Sequence, residues 1–149
     1  MAWSTPSTQI TGDLMTAAIW NQNVVYNTIA LTAAGFVWLF DGGGAAYTVD
    51  DPVPLEAPFK CDIDRVTMIH DQPSTTTISI WKDTYANVPP TAADDISNGG
   101  ISTSAVIKAQ DSTLSGWSPA IDAGDILMAN VDANDAAVRT LLSAKVSRS

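Results

Sequence analysis

Residues 61–82 read CDIDRVTMIHDQPSTTTISIWK, and this stretch decides the fold class. From Cys61 to His70 the chain alternates: Ile63 precedes Val66, Met68 and His70 on one parity, with Thr67 and Ile69 on the other. Asp71-Gln72-Pro73-Ser74 marks the end of that run. A second alternation then places Ile78, Ile80 and Lys82 opposite Thr77, Ser79 and Trp81. A period of two is the signature of a strand with one face buried, so the centre of the chain is predicted to be two strands.

The same texture extends outward. Phe36 to Phe40 is a short, dense apolar run that stops at Asp41-Gly42-Gly43-Gly44, a turn-forming cluster. The proline-rich segment from Asp50 through Pro58 fits an edge strand or a long connection, since proline cannot donate to a central ladder. A long excursion covers Asp83 to Gly100, and excursions of that length in a small domain are usually functional or form interfaces. Further strands are predicted at Ile101 to Gln110, Thr113 to Trp117, Ile126 to Val131 and Val138 to Val146. In the last, Thr140, Leu142, Ala144 and Val146 share one face and Arg139, Leu141, Ser143 and Lys145 the other.

Upstream the period changes. Residues 1–10 carry Trp3 and Pro6 without any period and read as an extended arm. Between Thr11 and Leu31, Ala17, Trp20, Val24 and Leu31 recur at helical spacing, with Asn27 in the same stripe, and Thr11 or Asp13 can cap. A second apolar edge at Ile19, Tyr26 and Ala30 allows this helix to pack on its own domain or on further copies. The expected architecture is mainly β: a jelly-roll-like β-sandwich of about eight antiparallel strands, preceded by an extended arm and one α-helix. The domains are set at 1–35 for attachment or oligomerisation and 36–149 for a displayed β-domain.

Composition narrows the function. The 149 residues include 16 acidic and 7 basic ones, for a formal charge of −9, which disfavours nucleic-acid and anionic-membrane partners. Fifteen of the acidic residues are Asp and only Glu56 is Glu, a bias toward turns and caps. No apolar run is long enough to insert in a membrane, and the N-terminus lacks the pattern of a signal peptide, so synthesis in the cytoplasm is expected.

One histidine, His70, and one cysteine, Cys61, leave no Cys/His metal cluster and no internal disulfide. Beside Asp71 and Asp83, His70 is the one candidate base, yet no spacing nominates a nucleophile, and it reads as a hydrogen-bonded or solvated strand-end residue. Cys61 reads as a small buried hydrophobe. The Asp pairs at 50–51, 62–64, 94–95 and 132–135 offer oxygen ligands but match no calcium loop, and turn caps explain them better. They are equally weak as the carboxyl pair of a polysaccharide hydrolase. No enzyme activity, cofactor or metal is expected.

Aromatic residues give a stronger lead. Trp81, Tyr85 and Trp117 either fill the core or line a glycan-binding surface. Trp3 has no core of its own, which favours burial against a partner.

The opening Trp3-Ser4-Thr5-Pro6, Thr11-Gly12-Asp13-Leu14-Met15-Thr16-Ala17-Ala18-Ile19-Trp20-Asn21 and Val24-Val25-Tyr26-Asn27 resembles that of small structural proteins of tailed bacteriophages. Pro58-Phe59-Lys60-Cys61-Asp62-Ile63-Asp64-Arg65-Val66-Thr67, Ile80-Trp81-Lys82-Asp83-Thr84-Tyr85-Ala86-Asn87, Asp111-Ser112-Thr113-Leu114-Ser115-Gly116-Trp117 and Ala123-Gly124-Asp125-Ile126-Leu127 look like landmarks of a phage virion β-domain. The resemblance implies a non-enzymatic component of the virion surface, often a homotrimer. It would contact major capsid or tail proteins as a capsid decoration, head fibre, tail fibre or tail-tip component. The interface residues would be Trp3, Leu14, Ala17, Trp20, Val24, Asn27 and Leu31. The alternative is a carbohydrate-binding module that recognises a host-surface glycan through Trp81, Tyr85 and Trp117.

Overall fold

The structure, a computed structural model, describes residues 33–148. The arm and helix expected over 1–31, and with them Trp3, Leu14, Ala17, Trp20, Val24, Asn27 and Leu31, lie outside the described residues.

Among the described residues nine strands form two antiparallel sheets: β1 (Ala33–Asp41), β2 (Val53–Glu56), β3 (Cys61–Ser74), β4 (Thr76–Thr84), β5 (Ile101–Ser102), β6 (Val106–Asp111), β7 (Ala120–Ile121), β8 (Asp125–Asn134) and β9 (Arg139–Arg148). The first sheet has the order β1-β9-β3-β6, with the two-residue β7 also on β3. The second has the order β2-β8-β4-β5. The chain passes from the first sheet to the second at Thr75, between β3 and β4. Among the described residues the helical elements are short 3-10 turns, Tyr85–Asn87 and Ala92–Asp94.

Alternation accounts for most of this. On β1, Phe36, Trp38 and Phe40 are buried while Val37 and Leu39 are exposed. On β9, Thr140, Leu142, Ala144 and Val146 are buried, as their shared parity predicts. Strand β3 keeps Ile63, Val66, Met68 and His70 buried, because a bulge between Ile63 and Arg65 absorbs the extra residue that would otherwise reverse the face. Strand β8 lies between β2 and β4 and is buried on both parities from Asp125 to Val131. Fully buried side chains come from both sheets, among them Trp38, Val66, Met68 and Leu142 from the first and Ile78, Ile80, Leu127 and Val131 from the second.

Three expectations are corrected. Thr113 to Trp117 is a turn and not a strand: the Asp111 carboxylate accepts the backbone N–H groups of Thr113 (2.8 Å) and Leu114 (3.0 Å), and Leu114 takes a positive φ of 49°. The single strand expected from Ile101 to Gln110 is two, β5 in the second sheet and β6 in the first, broken where Ala105 has φ 52°. Asp71–Ser74 does not end its strand, since β3 runs on to Ser74, with Pro73 where the ladder is irregular and lacks a fixed partner. Val53–Glu56 is an edge strand, as the prolines of its segment suggest.

Candidate functional site

Trp81 lies on β4 opposite Met128 of β8 and is half-buried. Beyond it the 83–100 excursion folds back as an added edge. Trp81 bridges Asp95, the Ile96 N–H donates to the Ile80 carbonyl at 2.9 Å, and the Ile80 N–H donates to Ser97 Oγ at 2.9 Å. Ser118 N–H then donates to the Ile96 carbonyl at 2.8 Å. Trp81 and Trp117 therefore stand on either side of one extended segment, about two strand spacings or ~10 Å apart.

Tyr85 begins the 3-10 turn that closes β4 and is 80% exposed. Among the described residues no ring–ring contact joins these three aromatics; the stacked or tilted pairs are Phe36–Trp38, Phe36–Phe59 and Phe40–Tyr47. Trp81 and Trp117 thus flank one segment without ring contact, and Tyr85 stands at the strand end.

His70 is held differently. Its Nδ1 lies 2.6 Å from Thr140 Oγ1 and its Nε2 3.1 Å from Thr103 Oγ1, so hydroxyls take both ring nitrogens. Thr140 Oγ1 also bonds Tyr47 Oη at 2.7 Å, and Thr103 Oγ1 accepts the Thr76 N–H at 3.1 Å. The chain ties β3, β9 and the 42–52 connection to β4 and the segment after β5. Burial pushes the His70 pKa below its ordinary value, opposed by the negative charges of Asp71 and Asp135. Cys61 is buried in β3, and burial raises its thiol pKa.

The Asp turns spend their oxygens on the fold. Asp94 accepts the Thr91 N–H at 2.8 Å and closes a capping box with it, an arrangement that lowers its pKa. Asp95 accepts the N–H groups of Ser97 and Gly99, and Asp132 accepts from Ser79 Oγ and Asn130 Nδ2. Asp135 takes the Thr75 N–H and Ser74 Oγ, and Asp71 takes the N–H groups of Val138 and Arg139. The Asp83 carboxylate, named beside His70 as a companion, accepts from Thr84 N–H and Asn87 Nδ2. Among the described residues no three His, Cys, Asp or Glu side chains converge as a metal site requires.

The sequence reading missed the exposed face of the first sheet. Ladder register sets Leu141 beside Ile69, Ser143 beside Thr67, and Lys108 and Gln110 on the far side of Ile69 and Thr67. The salt bridge Arg139–Asp41 (3.0 Å) and the close approach of Gly35 to the Ala144 carbonyl set β1 antiparallel to β9, which brings Leu39 level with Leu141. Val37, Leu39, Ile69 and Leu141 are 56%, 63%, 47% and 38% exposed. A depression of about 340 Å³ lined by Thr67, Ile69, Lys108, Ala109 and Gln110 lies on the same face. The signal was present as the second parity of each strand; only the register, which aligns those parities into one patch, was missing.

Comparison with known proteins gives no match: no protein family, no curated protein and no solved structure is similar to this chain.

Proposed function

We propose that this protein is a non-enzymatic structural component of a bacteriophage virion, trimeric, docked through its N-terminal segment and displaying a jelly-roll β-sandwich at the particle surface. The observation that carries the reading is the strand order. With the two-residue β7 set aside, the eight remaining strands interleave as 1-8-3-6 and 2-7-4-5, the order produced by folding one long antiparallel hairpin over on itself. Sandwiches of this type recur in viral capsid and lectin domains, which makes the fold alone an analogy. The phage assignment rests on the resemblance of the opening segment and the β-domain landmarks.

The chemistry is compatible with this role. His70 and Cys61 are engaged within the fold, and the Asp side chains named above serve turns. Immuno-electron microscopy of particles from a host carrying the gene, with serum raised against the protein, is expected to label regularly spaced surface sites. Label confined to the host cytoplasm contradicts the proposal.

The carbohydrate-binding alternative draws support from the exposure of Tyr85 and from the closeness of Trp81 to Trp117 across one extended segment. On that reading Tyr85→Ala abolishes a glycan-array signal without changing the thermal midpoint. An array blank for the unmodified protein removes it.

A further inference from the structure

We propose that the exposed face of the β1-β9-β3-β6 sheet is where a second copy of this chain docks. The inference rests on the trimeric reading above and specifies the surface through which copies meet. Contiguous exposed apolar side chains on a sheet mark an interaction surface, and Val37, Leu39, Leu141 and Ile69 form such a row.

Charge says what covers it. By strand parity and ladder register the face carries Arg65, Lys108, Arg139 and Lys145 together with Asp41, Asp62, Asp64 and Asp71. The signs cancel, so the whole −9 of the chain lies elsewhere. Two copies of an acidic protein repel wherever their acidic surfaces meet, and this face can be covered by another copy without like-charge opposition.

The remaining basic side chains are used within the fold: Lys60 pairs with Asp122, Lys82 with Asp125, and the Arg148 guanidinium lies 4.0 Å from the centre of the Phe59 ring. On the proposed face, Arg65 stands opposite Lys145, a like-charge cross-strand pair that destabilises a sheet. Asp64 in the bulge relieves it by reaching Lys145 at 3.5 Å. Neutrality here is thus assembled from opposed charges.

The size is adequate. Four strands about 4.8 Å apart and some eight residues long together present roughly 500 Å² on one copy, and with the equal area of the different surface that its neighbour in a closed trimer sets against them the contact buries about 1,000 Å², the lower bound for a specific interface. Association through it is therefore concentration-dependent, and salt strengthens it by screening the acidic remainder.

The test is sedimentation velocity on the full chain with Leu39→Glu, with the uncharged Leu39→Gln, and with Val49→Glu as control. Val49 is also apolar and 46% exposed but lies off this face, so it receives the same charge in a different place. Circular dichroism and thermal midpoints report that each variant is folded. Leu39→Glu is expected to weaken self-association at least about tenfold, Leu39→Gln by less, and Val49→Glu by under about twofold.

If Leu39→Glu and Val49→Glu act equally, the inference is overturned. If only Trp20→Glu disperses the oligomer, copies meet through the N-terminal segment; this inference falls and the trimeric reading stands. An unmodified chain that is monomeric at every concentration overturns both. If Leu39→Glu leaves self-association intact but removes the protein from particles, the occupant is a different virion protein and the inference is again overturned.

Discussion

On the first sheet Leu39, Leu141 and Ile69 stand exposed in a row, whereas on β8 of the second sheet Ile126, Met128 and Asn130 are buried on the parity that faces away from Leu127 and Ala129. Both sheets obey the same two-residue period. They differ in what stands beside those side chains: on the second sheet Trp81 is paired with Met128 and shares its face, and the chain's own Asp95–Ser97 segment widens the sheet at its β4 edge. A comparable face is thus closed in one sheet and open in the other. An apolar row left open while its counterpart is closed is the feature that points to a partner.

The contrast does not extend to the buried sides, and the largest effects are expected there. Trp38→Ala in the first sheet and Leu127→Ala in the second should each cost about 3–5 kcal/mol and 2–5 kcal/mol respectively. Denaturant unfolding followed by fluorescence and circular dichroism checks this, and both variants should lose both sheets in one transition. Two separated transitions would break the comparison by showing the sheets to be independent.

A smaller effect isolates the closed side. Gly100 has φ 82°, and a Cβ there would sit 2.2 Å from the Ile78 carbonyl oxygen, so Gly100→Ala must displace backbone. The cost is expected to be about 1–3 kcal/mol. Hydrogen exchange should show it as lost protection at Ile96, whose N–H bonds the Ile80 carbonyl, with β9 unaffected.

The third prediction concerns the end where the sheets are joined. His70 is 6% exposed, and burial lowers its pKa, so the folded protein binds fewer protons than the unfolded chain below the ordinary histidine pKa of about 6.5. Its contribution to stability is fully present above about pH 6.5 and is lost as pH falls through that value toward the lowered folded pKa, with a slope of up to about 1.4 kcal/mol per pH unit. Urea unfolding between about pH 7 and pH 5 measures this. His70→Gln should flatten the histidine part of the slope, and an unchanged slope would contradict it.

The smallest effect falls on the open face. Leu39→Glu should change monomer stability by less than about 0.5 kcal/mol, since the side chain is already 63% exposed. A larger loss in urea unfolding of the dilute protein would mean that Leu39 belongs to the fold of one chain.

What was legible in the sequence follows the same physics. Alternation identified the buried sides of β3, β4 and β9 because burial on one face imposes a period of two. It failed at Thr113–Trp117, where Leu114 and Trp117 are apolar but fall on opposite parities, and where the Asp111 carboxylate captures two N–H groups and bends the chain. It failed again at Ala105, whose positive φ splits β5 from β6 without a Gly, Pro, Asn or Asp to announce it. The His70 cluster draws on Tyr47, Thr103 and Thr140, which meet only through strand register, a long-range property that local pattern does not carry. Trp81, Tyr85 and Trp117 were identifiable by type, but their spacing depended on how the 83–100 excursion folds back.

The open face can be probed most directly by the reactivity of a single thiol placed on it. In a full-length Leu39→Cys variant the native Cys61 is buried, so maleimide labelling reports on position 39. If copies meet through this face, the thiol is protected in concentrated protein at high salt and becomes reactive on dilution at low salt. Equal labelling rates under both conditions, in a protein that sedimentation shows to be oligomeric when concentrated, would contradict the claim that this face is the contact.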